Sequence, residues 1–347
     1  MKIGFMRRST ALTVAASLAL GMALGISTAA QADHQWSSYH WERDGIDPLI
    51  ITVADNHVAV DANLPEWELI LKSVVAGWAS GADGGYGGLH FGTIDSSGSL
   101  DGNVPSFNDN YGDTGWLGIA SIWVTRGKNK HITRGQSKVN DFYVTLAGYD
   151  GFDQIEEWRA VLCQEIGHTL GLAHTAVDYT CMNTEDRPLR YETPNAHDTE
   201  MLDAMYAEDH GSDGGGGGGG PCKKKKNKFC AGAIGVSRAT WAEHYDSEEA
   251  MFDAADAVVD VTVMSSAFSG LIGRSQGAVP VTRVVLRVED TLSGFTRPVI
   301  VLEQTRGPSL EIIDDPGYVQ GDSYTLYLRQ IDNNTYRTVN PSGRIRN

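Results

Sequence analysis

Apolar residues recur at helical spacing at Trp67, Ile70, Leu71, Val74, Val75 and Trp78, predicting an amphipathic helix with Pro65 in its first turn and Gly81 as its stop. Before it, the run PLIITVAD (48–55) reads as a buried strand, so the pair opens an α/β layer. Residues 81–113 are crowded with Gly, Asp, Ser and Asn and predict loops around one short strand, LHFGTI (89–94). WLGIASIWVT (116–125) is apolar enough for a central or substrate-side strand, with SKVNDFYVTL (137–146) as its neighbour. A helix then follows whose apolar side is Ile155, Trp158, Leu162, Ile166 and Leu170. The run TEMLDAMYAE (199–208) predicts a last helix through Met201, Leu202, Met205 and Tyr206, with Asp198 as its cap.

The pattern changes after Asp213. Gly214 to Gly220 are all glycine and Pro221 follows, a stretch with maximal backbone freedom and nothing to bury, so 213–221 reads as a flexible linker. Beyond it, DAVVDVTVMS, PVTRVVLRVED, RPVIVLEQT, DSYTLYLRQ and NTYRTVN are β-rich runs separated by turn residues, with one helix around Ser247 to Ala255. The expected organisation is an α/β module over 33–212 and a small all-β module over 222–347. Residues 1–32 stand apart: Lys2, Arg7 and Arg8 precede an apolar run from Ala11 to Ile26, and Ala30-Gln31-Ala32 offers a small-residue cleavage site. That is the pattern of a secretory signal peptide. The run is short of the roughly 20 apolar residues that a membrane span needs.

Charge narrows the partners. A formal net charge of −16 repels phosphate backbones and argues against nucleic-acid binding. The chain's 4 cysteines all follow the signal-like segment, and an even number in an exported chain favours disulfides. Three pairings are open; the expectation is the two local ones, Cys163 with Cys181 and Cys222 with Cys230. The second would enclose the basic run Lys223–Lys228, which reads as a solvated loop, with contact to an anionic surface or polymer as the functional alternative.

The stretch CQEIGHTLGLAH (163–174) carries the chemistry. On a helix, positions i and i+4 share a face, so Gln164 and His168 can converge on one point. Gly171 permits a sharp change of direction, and His174 can return to the same centre. Glu165 sits at another azimuth, which suits a residue that holds a reacting water instead of a metal. His197 is a further candidate ligand.

Residues 164–174 match H-E-x-x-H-x-x-G-x-x-H of the metzincins at every specified position but the first, and Cys181-Met182 follows where their Met-turn lies. The chain resembles a metzincin zinc metalloprotease, most like the matrixin-like and gametolysin-like secreted enzymes, the gametolysin group being known for Gln at the first position. YHWER (39–43), YGDTGWLGIASIWVT (111–125), HITRGQSKVND (131–141) and PNAHDTEML (194–202) also look like segments of such bacterial proteins. The resemblance implies an α+β catalytic domain with a mixed sheet and an active-site helix, and a secreted endopeptidase acting on proteins or peptides. It implies Zn²⁺ held by Gln164, His168 and His174, Glu165 as the general base for a metal-activated water, and Met182 as the floor beneath the metal. No cysteine precedes Cys163, so a cysteine-switch propeptide is not expected. The C-terminal module resembles the OB-fold domains of metalloprotease inhibitors, with an immunoglobulin-like sandwich as the alternative.

Other readings stand beside these. Gln164 for His is also what a catalytically inactive secreted binding protein on the same scaffold would carry. Tyr191 is a candidate for assisting at the oxyanion. The Asp-rich stretch from Asp95 to Asp113 offers oxygens to Ca²⁺ but lacks a 12-residue EF-hand pattern, so a solvated loop is expected there.

Overall fold

The computed structural model describes residues 34–42, 49–58, 67–79, 89–95, 104–126, 130–145, 155–183, 191–206, 234–274, 277–308 and 310–347. The signal-like segment, the glycine run, Cys222, Cys230 and the lysines between them lie outside the described residues. The fold is mixed α/β, mostly strand, with two mixed sheets.

The first sheet has the order β3 (Leu89–Asp95), β2 (Leu49–Asp55), β4 (Val104–Asp109), β6 (His131–Asn140), β5 (Trp116–Val124), β7 (Ile234–Trp241), with β1 (His40–Trp41) pairing β6. Pairings among β1, β2, β3, β4 and β6 are parallel. β5 runs antiparallel to β6, and β7 antiparallel to β5. Helix α1 (Trp67–Ala79) buries each residue of its predicted stripe. Helix α3 (Ile155–Thr169) lies beside it, and the Trp78 indole donates to the Cys163 carbonyl at 3.1 Å. Trp158, Leu162, Ile166 and Leu170 are buried as predicted, whereas Ile155 is 36% exposed at the helix start.

The strand expected over 137–146 ends at Asn140, and Asp141–Thr145 form the short helix α2. The Asn140 side chain explains the break: its Oδ1 accepts from the amides of Tyr111 (3.0 Å) and Phe142 (3.2 Å), satisfying a helix-start donor that a continuing strand would have paired elsewhere. Helix α4 (Ala196–Tyr206) starts earlier than its apolar pattern. Its cap is Asn195, whose Oδ1 accepts from the amides of His197 and Asp198. Asp198, expected to be the cap, supplies the returning half by accepting from the Asn195 amide at 2.8 Å.

The second sheet contains β8 (Ala257–Ile272), β9 (Val279–Gly294), β10 (Val299–Thr305), β11 (Ser323–Asp332), β12 (Thr335–Thr338) and β13 (Arg344–Arg346). β12 pairs with both β10 and β11, so β8, β9, β10, β12 and β11 close into a ring around Val259, Val261, Leu286, Leu302 and Leu326. Helix α5 (Glu248–Ala254) precedes the ring, capped by Ser247, whose hydroxyl accepts from the Ala250 amide.

β4 falls in the stretch 81–113, where loops around a single strand at 89–94 are expected, and β7 is likewise a strand that the sequence pattern does not predict. It leaves the second sheet's neighbourhood to extend the first, and a shared core of Tyr111, Trp116, Ile119, Ala239, Val279, Leu310 and Ile312 forms beneath it. Ala32–Asn347 form one compact unit. Among the described residues, no helix is long and apolar enough to cross a membrane.

Cys163 and Cys181 are joined by a disulfide, with Cα atoms 5.9 Å apart. It ties α3 to the turn at Cys181–Asn183. Replacing both cysteines by Ser should cost about 3 kcal/mol, the chain-entropy value for a loop of this size, read as a lower denaturation midpoint in oxidised protein.

Candidate metal centre

Helix α3 ends where Gly171 adopts φ +98°, a left-handed conformation. A Cβ at this position would lie 2.4 Å from the Tyr39 carbonyl oxygen, so glycine serves both the turn and the close approach of the N-terminal segment. The turn brings the next histidine back. The His168 and His174 rings lie 4.6 Å apart between centroids, tilted by 58°. His168 Nδ1 faces the Leu172 carbonyl at 2.9 Å, which fixes the proton on Nδ1 and leaves the Nε2 lone pair outward, the tautomer that metal ligation uses. Burial, then the nearby Arg238 charge, lowers the His168 pKa to about 3, so the ring is neutral at ordinary pH.

Met182 lies under this helix. A Cβ on Gly167 would fall 2.5 Å from its sulfur, so the helix rests directly on the thioether. The turn carrying it is held by Thr175 N donating to Met182 O and by Met182 N donating to the Thr180 hydroxyl, both at 3.0 Å.

Gln164 and Glu165 point to the β5 edge. The Gln164 amide nitrogen donates to Cys181 O at 2.9 Å, which turns Oε1 the other way, where it accepts from the Thr240 hydroxyl. The same hydroxyl lies 2.5 Å from Glu165 Oε1. Burial raises the Glu165 carboxyl to about 8, against the opposing effect of the Thr240 hydroxyl and the amides of Thr240 and Ala120. Gly118 makes this approach physically feasible: a Cβ there would sit 2.6 Å from Glu165 Oε1. Two buried atoms of the constellation, Glu165 Oε2 and His168 Nε2, have no hydrogen-bond partner among the described residues. An unmet carboxylate oxygen and an unmet imidazole nitrogen in one buried site suit a cation and a water better than an apolar core.

The side chains of Gln164, Glu165 and His168 are fully covered, each 0% exposed. Beside His174 a cavity of about 300 Å³ remains, walled by Ala239 and Trp241 of β7 and by Glu243, His244 and Asn340. Thr240 and Gly118 were not singled out from sequence. A lone Thr in IGVSRATW (234–241) carries no signal of its own; only the strand pairing brings it to the site.

His197 does not join His168 and His174. It stacks on His34 at 4.7 Å, and among the described residues His34, His197 and Asp198 are the one group of three or more His, Cys, Asp or Glu side chains whose ligand-type atoms all lie within 4.8 Å of one another. His34 Nε2 lies 3.5 Å from Asp198 Oδ1. Tyr191 rests on the exposed Tyr179 ring. In the Asp-rich stretch, Asp109 and Asp113 serve as partners for Arg274 (3.2 Å) and Arg337 (2.7 Å), while residues 96–103 lie outside the described residues.

No protein-family model matches the chain, and no curated protein matches it.

Proposed function

We propose that the chain is a secreted zinc-dependent metalloendopeptidase of the metzincin kind, with Gln164, His168 and His174 as metal ligands and Glu165 as general base. One observation carries this reading: the Gly171 turn brings the His174 ring to 4.6 Å, centroid to centroid, from that of His168, on whose helix Glu165 keeps a buried carboxylate oxygen with no hydrogen-bond partner among the described residues. The donor set suits zinc, which accepts oxygen beside nitrogen and in catalytic sites takes three protein ligands. Zinc bound there would supply Lewis-acid activation of water and polarisation of the scissile carbonyl.

The chain's own residues do the rest. Leu172 O orients the His168 ring, and Cys181 O orients the Gln164 amide so that its oxygen is the free end. Glu165 takes the proton of the attacking water on its carboxylate and delivers it to the leaving nitrogen. Met182 fills the space beneath the histidine helix. The ring closed by β12 supports an OB-like barrel for the C-terminal module over a sandwich, which would leave two separate sheets. The buried disulfide and the signal-like N-terminus support export.

A second reading, an inactive binding protein on this scaffold, draws on the contact of Thr240 with both Gln164 and Glu165. Metal titration separates the two. The endopeptidase takes up one equivalent of zinc through these residues, and a Gln164→His variant holds it on the order of 10-fold more tightly, since imidazole is the stronger donor. A protein that takes up no zinc, or the same zinc affinity in the Gln164→His variant, contradicts the assignment.

A further inference from the structure

We propose that residues 234–241 act as an intramolecular inhibitor: β7 occupies the edge of β5 along which an extended peptide would be held, and Thr240 caps the reactive side chains beneath it. The proposal rests on the endopeptidase reading and adds a latent state to it.

Three observations carry it. First, the β5 edge is the strand edge that faces the site. Gly118 packs so closely on Glu165 that a Cβ there would lie 2.6 Å from Oε1, so an extended chain paired with β5 runs beside the carboxylate. A free strand edge binds an extended peptide by main-chain pairing. β7 takes up that pairing in continuous register from Gly118 opposite Thr240 to Val124 opposite Ile234, with a bulge between Gly118 and the Trp116–Trp241 pair.

Second, the occupant engages the chemistry. Thr240 stands opposite Gly118 and directs its hydroxyl to Gln164 Oε1 and Glu165 Oε1, the oxygens assigned to metal binding and proton transfer. Two residues earlier on the same face, Arg238 reaches over the Trp36 ring at 5.4 Å, and that ring in turn lies edge-on to His168 at 5.8 Å. A peptide substrate cannot pair with β5 while this strand is present.

Third, the C-terminal module holds the strand down. Ser237 exchanges backbone hydrogen bonds with Glu311 O (2.8 Å) and Ile313 N (3.0 Å). Trp116 donates to the Thr305 hydroxyl at 3.0 Å, Arg337 joins Asp113 to Glu243 at 2.7 Å each, and Arg274 pairs with Asp109. Burial alone would raise the Glu243 carboxyl, but Arg337, Tyr245 and Arg329 hold it below the usual range. Withdrawal of β7 therefore requires this interface to loosen, and anything that weakens it frees the edge.

The register supplies a reversible test on the full chain. Ser121 and Ser237 are paired across β5 and β7 with their hydroxyls 2.8 Å apart, so a Ser121→Cys, Ser237→Cys double variant can be closed by oxidation and reopened by mild reductant. The comparison chains are Arg337→Ala and the milder Arg274→Ala, whose side chain is 59% exposed, with melting curves to verify folding. The probes are cleavage of an unfolded protein and binding of a fluorescent octapeptide of sequence IGVSRATW. Loosened chains should cleave and bind the octapeptide about tenfold better than wild type, the population shift expected on losing charge-assisted hydrogen bonds. The oxidised double variant should do neither, and reductant that leaves wild type unchanged should restore both. Equal cleavage and equal octapeptide binding by oxidised and reduced double variants would overturn the inhibitor and leave the endopeptidase standing. Octapeptide binding switched by the lock, with no cleavage in any chain, would place β7 on its edge and remove the enzyme beneath it.

Discussion

Glu165→Gln, introduced into the loosened Arg337→Ala chain, should slow cleavage of an unfolded protein by about 10²–10⁴-fold while leaving the bound zinc unchanged. The substitution keeps the shape that fits against Gly118, where no more than a hydrogen can be accommodated, so the helix and strand should pack as before. What changes is proton affinity. A carboxamide can still receive the Thr240 hydroxyl but cannot accept a proton from the attacking water, and the rate loss reports that step alone. Loss of zinc together with activity would make Glu165 a ligand, and an unchanged rate would move the base elsewhere.

Gly171→Ala should destabilise the chain by about 3–5 kcal/mol, measured as a lower denaturation midpoint at unchanged slope. Two costs add. The residue holds φ +98°, and its new methyl would meet Tyr39 O at 2.4 Å and Met205 Cε at 2.7 Å. The Met205 methyl, at the far end of a flexible side chain, can swing aside, but the Tyr39 carbonyl cannot, because Tyr39 belongs to a segment stitched to the helix end by Trp36 N donating to Gly171 O at 2.7 Å. Gly112 provides the comparison: it has φ +78° with nothing within 4 Å, so Gly112→Ala should show only the backbone cost of about 1–2 kcal/mol. Equal losses at the two positions would remove the close approach as the cause.

Features set by local pattern were legible in the sequence. The stripe of α1, the apolar side of α3 beyond Ile155, and the runs that became β8 to β12 are written as periodicities; the structure realises them, with β8 extending seven residues and β9 four residues beyond the predicted runs. The Cys163–Cys181 bridge was legible from its short spacing. Features set by pairing between distant segments were not. β4 (Val104–Asp109) lies in a stretch dominated by loop-forming residues and becomes a strand because β2 and β6 bracket it. β7 lacks a strict alternation of apolar and polar residues; its place comes from β5 and from the core that Ala239 completes with Trp116 and Ile312. Thr240 and Gly118 owe their positions near the proposed site residues to such pairings. The helix start at Asp141 turned on a single side-chain acceptor, Asn140, which competes with strand continuation only once Tyr111 is beside it.

The assignment of the metal ligands is tested most directly by X-ray absorption at the zinc edge on the full chain, compared across wild type, Gln164→His and His168→Ala. The account predicts one zinc in wild type with two imidazole nitrogens and oxygen donors at about 2.0–2.2 Å. It further predicts a third imidazole in the Gln164→His variant and loss of the ion in His168→Ala. Zinc that stays bound with an unaltered spectrum in both variants would contradict it and direct attention to His34, His197 and Asp198.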